Sequence, residues 1–224
     1  LVAAIEALAL FPSEWQSRSA STLRSSIVAE LGGYYDRDLG VGSQLVQAHV
    51  PTALARLLPR GSLESIKWRD RFAADLRAGL RGSSSSHAKV NHHVAQSCAL
   101  ALGSMCRPWD DDNSPSRAIG ELLIEVHKEH RDQQTRSFAT LALARIGGKQ
   151  PLKYLVTELR VANKAIEQPW LAVALGIIAA KHRADGSFEG KAAADFELVT
   201  SSLLKQFEQA RNPGTIGALA VALG

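Results

Sequence analysis

The feature that most constrains this chain is a short Ala- and Leu-rich helical segment that returns at nearly constant intervals. Residues 135–147 read TRSFATLALARIG, and Phe138, Ala139, Ala142, Leu143 and Ile146 fall on one face at three- and four-residue spacing. Asp132 stands ahead as a candidate N-cap, and Gly147-Gly148 follow as a stop. Related segments occur at 91–103 (NHHVAQSCALALG), 52–58 (TALARLL), 1–11 (ending ALALF), 170–180 (WLAVALGIIAA) and 213–224 (PGTIGALAVALG). Their equivalent ends, Phe11, Leu58, Gly103, Gly147, Ala180 and Gly224, lie 47, 45, 44, 33 and 44 residues apart. Each interval carries one further helical pattern, at 21–31, 63–80, 115–130, 151–160 and 192–208. In the third of these Ser114 reads as N-cap and Pro115 as the first helical residue.

A helix–turn–helix unit of this size cannot bury its apolar face alone, whereas a stack of such units can. Ala and Gly on a helix face let neighbours approach at the short end of the usual 8–10 Å spacing. The expected fold is all-α: a right-handed α-solenoid of helical hairpins, one domain over 1–224 with about five and a half repeats. The regular spacing disfavours a compact bundle of unrelated helices. Composition points the same way, since 46% of the chain is hydrophobic but only 6% aromatic, a load carried by helix-forming Ala and Leu. The chain starts without Met, already inside an apolar pattern, and ends after a signature helix that lacks a mate. It therefore reads as a fragment of a longer protein, with a terminal repeat continued in the parent or covered by a second copy in a homo-oligomer.

The run Asp132…Arg136…Ala139…Ala142…Ile146-Gly147 resembles the inner-helix signature of HEAT repeats. It is similar too to the HEAT-like repeats of phycobilin-lyase type, within the armadillo-type helical repeat superfamily. The resemblance extends over nearly the whole chain and is closely matched in one unit. HEAT repeats carry an Asp and an Arg that form a ladder between units. Here the Arg136 position is Gln47, His92, Pro169 and Pro213 in other units, so the ladder is mostly replaced by apolar packing. In the family the signature helices line the concave surface. That implies an inner face drawing on Arg56, His93, Arg136, Arg145 and Trp170.

Four irregular segments interrupt the pattern: the Gly- and Asp-rich 32–42, the Ser-rich 82–86, the acidic 107–114 (RPWDDDNS) and the polar 182–190. Insertions in repeat proteins collect on one face, often the binding face, so Trp109, Asp110 and Asp112 join the candidate partner-binding residues. Asp110, Asp112 and Ser114 occupy positions 1, 3 and 5 of a calcium-loop register and Glu121 position 12, but position 6, which must be Gly, is Pro115. An acidic loop at a helix start accounts for the same residues.

Other chemistry fares no better. Adjacent His92 and His93 point about 100° apart on a helix, and His127 and His130 lack a third ligand in line. No His is followed by Glu, which removes the iron-holding dipeptide of the HEAT-like deoxyhypusine hydroxylases. Glycine-rich phosphate loops and the nucleophile elbow are absent. The expectation is a non-enzyme with no catalytic, cofactor or metal residues. Cys98 and Cys106, on one helix, would sit about 12 Å apart, beyond the roughly 7 Å a disulfide spans. They read as reduced, buried side chains. No apolar run approaches the roughly 18 residues that span a membrane, and 1–10 contains Glu6 and lacks the basic flank of a secretory signal. These readings place the chain in the cytoplasm and away from membranes.

The leading functional expectation is an interaction scaffold that binds a protein partner on its concave face or loops. The alternative is nucleic-acid binding. Between Arg56 and Arg81 lie seven basic and three acidic residues, a local excess equal to the whole chain's +4. Trp109 and Trp170, each following Pro at an element edge, are the tryptophans expected to be exposed for stacking, with Trp15 and Trp68 more buried. A lyase-like role rests on the phycobilin-lyase resemblance alone. The Trp109-Asp110 pair is too short to carry a likeness to HEAT-like DNA glycosylases.

Overall fold

The computed structural model describes residues 1–12, 17–39, 41–81, 91–162, 164–184 and 191–224. Among these, twelve helices account for all regular structure: α1 (Val2–Leu8), α2 (Arg18–Tyr35), α3 (Val41–Gln47), α4 (Val50–Leu57), α5 (Leu63–Arg81), α6 (His92–Met105), α7 (Arg117–Glu129), α8 (Gln133–Ile146), α9 (Lys149–Val161), α10 (Gln168–Ala184), α11 (Lys191–Gln209) and α12 (Pro213–Leu223). The six Ala/Leu-rich segments are α1, α4, α6, α8, α10 and α12, and the five intervening patterns are α2, α5, α7, α9 and α11. The all-α expectation therefore holds. The Ser-rich stretch 82–86, His87, Trp15 and residues 185–190 lie outside the described residues.

The chain divides into two compact units, Leu1–Cys106 with Glu125–Ala139, and Arg107–Ile124 with Thr140–Gly224. In the first unit α4 packs on α1, α2, α5 and α6, and α6 also receives α3 and α5. Leu54, Leu57, Phe72, Leu76, Cys98, Ala99 and Leu102 are fully buried there. In the second, α10 packs on α9, α11 and α12, with Leu155, Leu171, Ala172, Leu175 and Leu219 fully buried. Each fully buried Leu contributes about 2 kcal/mol of transfer free energy. The small residues act as expected. A Cβ on Gly176 would lie 2.8 Å from the Ala222 Cα, so the glycine is what lets α10 and α12 touch.

Side-chain caps close the starts of several helices. Asn91 caps α6 by accepting from the His93 amide (3.0 Å), and Asn212 caps α12 by accepting from the Gly214 and Thr215 amides (2.9 and 3.2 Å). Two boundaries need correction. The expected break at Gly32-Gly33-Tyr34-Tyr35 is helical, because α2 runs through it to Tyr35. Gly32 is there for closeness rather than for a turn, since a Cβ would come within 2.5 Å of Trp68 Cζ2. Residues 115 and 116 form a turn, and α7 starts at Arg117 rather than at Pro115. The short α3 was not anticipated, because its Gly42 and Ser43 dilute any apolar period.

Candidate functional site

The basic stretch 56–81 was the strongest electrostatic signal, and most of its guanidinium groups are engaged. Arg56 pairs with Glu6 (3.2 Å), and Arg60 donates to the Ser104 carbonyl (2.8 Å). Arg69 pairs with neighbouring Asp70 at 3.0 Å. Arg71 reaches Asp75 Oδ2 with Nε (3.1 Å) and Asp36 with its outer nitrogen (3.2 Å). Asp75 is buried and also accepts from the Tyr35 hydroxyl (2.8 Å), which in turn lies 3.4 Å from the Cys98 Sγ. Burial works against the Arg71 charge, but the Asp75 carboxylate outweighs it and holds the guanidinium above its ordinary value. Burial, with the Cys98 and Asp75 charges behind it, raises the Tyr35 phenol, and burial raises the Cys98 thiol. Both groups stay neutral at physiological pH. Around them Trp68 and Phe72 set their rings edge-on to Tyr35, at 6.1 and 5.6 Å.

Half-buried Trp68 forms, with Asp36, Lys67 and Arg71, the wall of a surface depression of about 210 Å³. Lys67 and Arg77 are exposed on the same helix. The cluster of Tyr35, Asp75 and Arg71 escaped sequence reading because Tyr35 and Asp75 are 40 residues apart. The spacing of Arg71 and Asp75, four apart on one helix, was the visible part of it.

A second polar node sits at the start of α8. Asp132 Oδ2 accepts from the Thr135 amide and hydroxyl (both 2.7 Å), which makes it the predicted N-cap, and from the Gln96 amide nitrogen (3.0 Å). Desolvation pushes the Asp132 carboxyl up, but these hydrogen bonds prevail and its pKa lies below the ordinary value. The Asp132 backbone N–H donates to His130 Nδ1 (3.1 Å), and Arg136 donates to the His130 carbonyl (2.9 Å) and to Gln133. Burial holds His130 below the usual imidazole value. Arg136 is thus a half-buried structural donor to a turn. Half-buried His93 stands in the first turn of α6 with its ring 4.0 Å from that of His92.

In the second unit the segment 107–114 is fastened down. Trp109 donates its amide to the Gly147 carbonyl and accepts from the Gln150 amide (both 3.0 Å). Asp110 accepts from the Lys149 amide at the start of α9 (3.0 Å), and Asp112 pairs with Arg117 (3.5 Å). The expectation of an exposed Trp109 is overturned: its side chain is buried at 6% exposure. Gly120 leaves the space the indole fills, since a Cβ there would come within 2.2 Å of the ring, and Gly148 makes room for the Trp109 backbone, which its Cβ would approach to 2.6 Å. Its indole Nε1 has no hydrogen-bond partner among the described residues. Trp170 is half-buried, and Arg145 is exposed while its carbonyl accepts from Lys181.

Of the eight predicted partner-binding residues, Arg56, His93 and Arg136 belong to the first unit and Arg145, Trp170, Trp109, Asp110 and Asp112 to the second. In the second unit the segment 107–114 brings Trp109, Asp110 and Asp112 together. Among the described residues no group of three or more His, Cys, Asp or Glu is placed to hold a metal ion. The calcium register also dissolves here, because Asp110 turns to α9 while Asp112 turns to Arg117. No described helix is long and apolar enough to cross a membrane. Compared with protein-family models, with curated proteins and with solved structures, the chain matches none.

Proposed function

We propose that this chain is a non-catalytic interaction scaffold of the HEAT-like kind, in which the helical pairs stack as a right-handed α-solenoid and a protein partner docks on the exposed faces. One observation carries the reading. Each of the six Ala/Leu-rich segments that recur in the sequence is a helix, a further patterned helix stands in each of the five intervals between them, and small residues such as Gly176 sit where two helices meet. Repetition of this kind builds extended surface, which is what scaffolds use. Small-angle scattering of the purified chain checks the stacking. A compact globule of 224 residues has a radius of gyration of about 17 Å, and stacked hairpins exceed it. Crosslinking of the chain in its native complexes, with the crosslinked residues mapped, checks the docking. Crosslinks on exposed helix faces and the 107–114 segment support it, and recovery of nucleic acid in place of protein overturns it.

Nucleic-acid binding is the second reading, and its specific support is the Trp68 depression with exposed Lys67 beside it. It requires binding that weakens steeply as salt rises.

A further inference from the structure

Between α9 and α11 of the second unit runs a groove of about 410 Å³ lined by Arg160, Ser201, Ser202, Lys205, Gln206 and Gln209. Arg160, Lys205, Gln206 and Gln209 can donate hydrogen bonds into it, the Ser201 and Ser202 hydroxyls already donate to the Leu198 carbonyl (3.2 and 2.7 Å), and no lining side chain is acidic or aromatic. The five residues from α11 form two rows at four-residue spacing, 201–205–209 and 202–206, so their side chains share one helix face opposite Arg160. Arg160 and Lys205 are exposed, and neither is in an ion pair with a described residue. Two cations with no ion-pair partner among the described residues therefore line a common space, with two carboxamides beside them.

We infer that this groove binds a phosphorylated serine or threonine of a partner protein. A phosphomonoester carries nearly two negative charges and three strong acceptor oxygens. That matches one guanidinium and one ammonium in the same groove, whereas a carboxylate offers one charge and two oxygens. Gln206 and Gln209 extend the donor row beyond the charged pair and suit the carbonyls of a flanking peptide. Nucleic acid fits the groove less well, because no aromatic ring is present for a base to stack on. The inference rests on the scaffold reading and names the chemistry of one partner.

The test is an NMR titration of the ¹⁵N-labelled full chain with three probes. These are inorganic phosphate, the peptide acetyl-Ala-Ala-phosphoSer-Ala-Ala-amide with its unphosphorylated twin, and a single-stranded deoxythymidine oligonucleotide. The phosphopeptide is expected to shift amides around Arg160, Ser202 and Gln206 and to bind roughly tenfold tighter than the twin. The Arg160→Ala/Lys205→Ala double variant is expected to lose at least that factor while keeping the helical circular dichroism of the parent. Equal binding of both peptides, no shifts in α9 and α11, or shifts undiminished in the double variant overturns the inference. Inorganic phosphate binding as well as the phosphopeptide overturns the peptide as its source, and tighter oligonucleotide binding at these amides overturns it in favour of nucleic acid. Crosslinks to proteins elsewhere on the chain, with a silent groove, would sink this inference and leave the scaffold standing.

Discussion

Two regions of this molecule carry positive charge in opposite ways. Helix α5 has the higher count, but Arg69 and Arg71 on it, and Arg56 and Arg60 just ahead of it, are held by Asp70, Asp75, Asp36, Glu6 and the Ser104 carbonyl. The α9–α11 groove has only Arg160 and Lys205, yet their neighbours across the groove are Ser and Gln. Charge density along a sequence therefore says little about charge offered to a ligand. What decides it is whether carboxylates stand within reach, on the same helix or on a neighbour. In α5 the cations help to build the fold, and in the groove they are spare.

That contrast is open to direct attack, and the largest effect is expected where it is most structural. Asp75→Ala removes one of the two carboxylates that hold Arg71 and the carboxylate acceptor of the buried Tyr35 hydroxyl, and should cost about 3 kcal/mol in urea denaturation. A loss below about 1 kcal/mol would mean the α5 charges are as dispensable as surface ones. Next comes Gly32→Ala, which drives a Cβ into the Trp68 indole that Tyr35 and Phe72 hem in. Overpacking there should cost about 2 kcal/mol and outweigh the helix-propensity gain of alanine. Asp132→Ala removes a cap and the Gln96 tie together, for about 1 kcal/mol by the same measurement.

A smaller effect concerns pH. His130 holds its proton less readily in the folded chain than unfolded, so its share of stability is complete above about pH 6.5 and shrinks as pH falls below that value. Asp132, held low, adds stability above about pH 4 that vanishes as pH drops through its folded value. Asp132, Arg136 and His92 are the charges that bear on the imidazole. Melting temperature should therefore decline between pH 7 and pH 5. His130→Asn, which keeps an acceptor for the Asp132 amide, should flatten that decline. The least effect of all belongs to Arg160→Ala and Lys205→Ala, each expected within about 0.5 kcal/mol of the parent. A larger loss in either would erase the distinction between the two regions.

The helices were legible because their signals are local. Apolar spacing placed α4, α6, α8, α10 and α12 to within a few residues, and the N-cap Asp132 stood in place. Where reading failed, a distant residue had the deciding vote. Gly32-Gly33 reads as a stop until Trp68 explains the first glycine, and Pro108-Trp109 reads as an exposed edge until Gly120 and Gly148 are seen making room. The groove was invisible for a plainer reason. Its charges, Arg160 and Lys205, sit 45 residues apart on helices that each look like an ordinary solvated amphipath.

Neither Cys98 nor Cys106 is in a disulfide, and both are buried in the first unit, the former behind the hydroxyl of Tyr35. Thiolate chemistry needs exposure and ionisation, and the folded chain withholds both from Cys98. The protein thus carries its own stopwatch. The rate at which iodoacetamide marks these sulfurs reads out how often that half of the chain breathes open, with no probe to be engineered in.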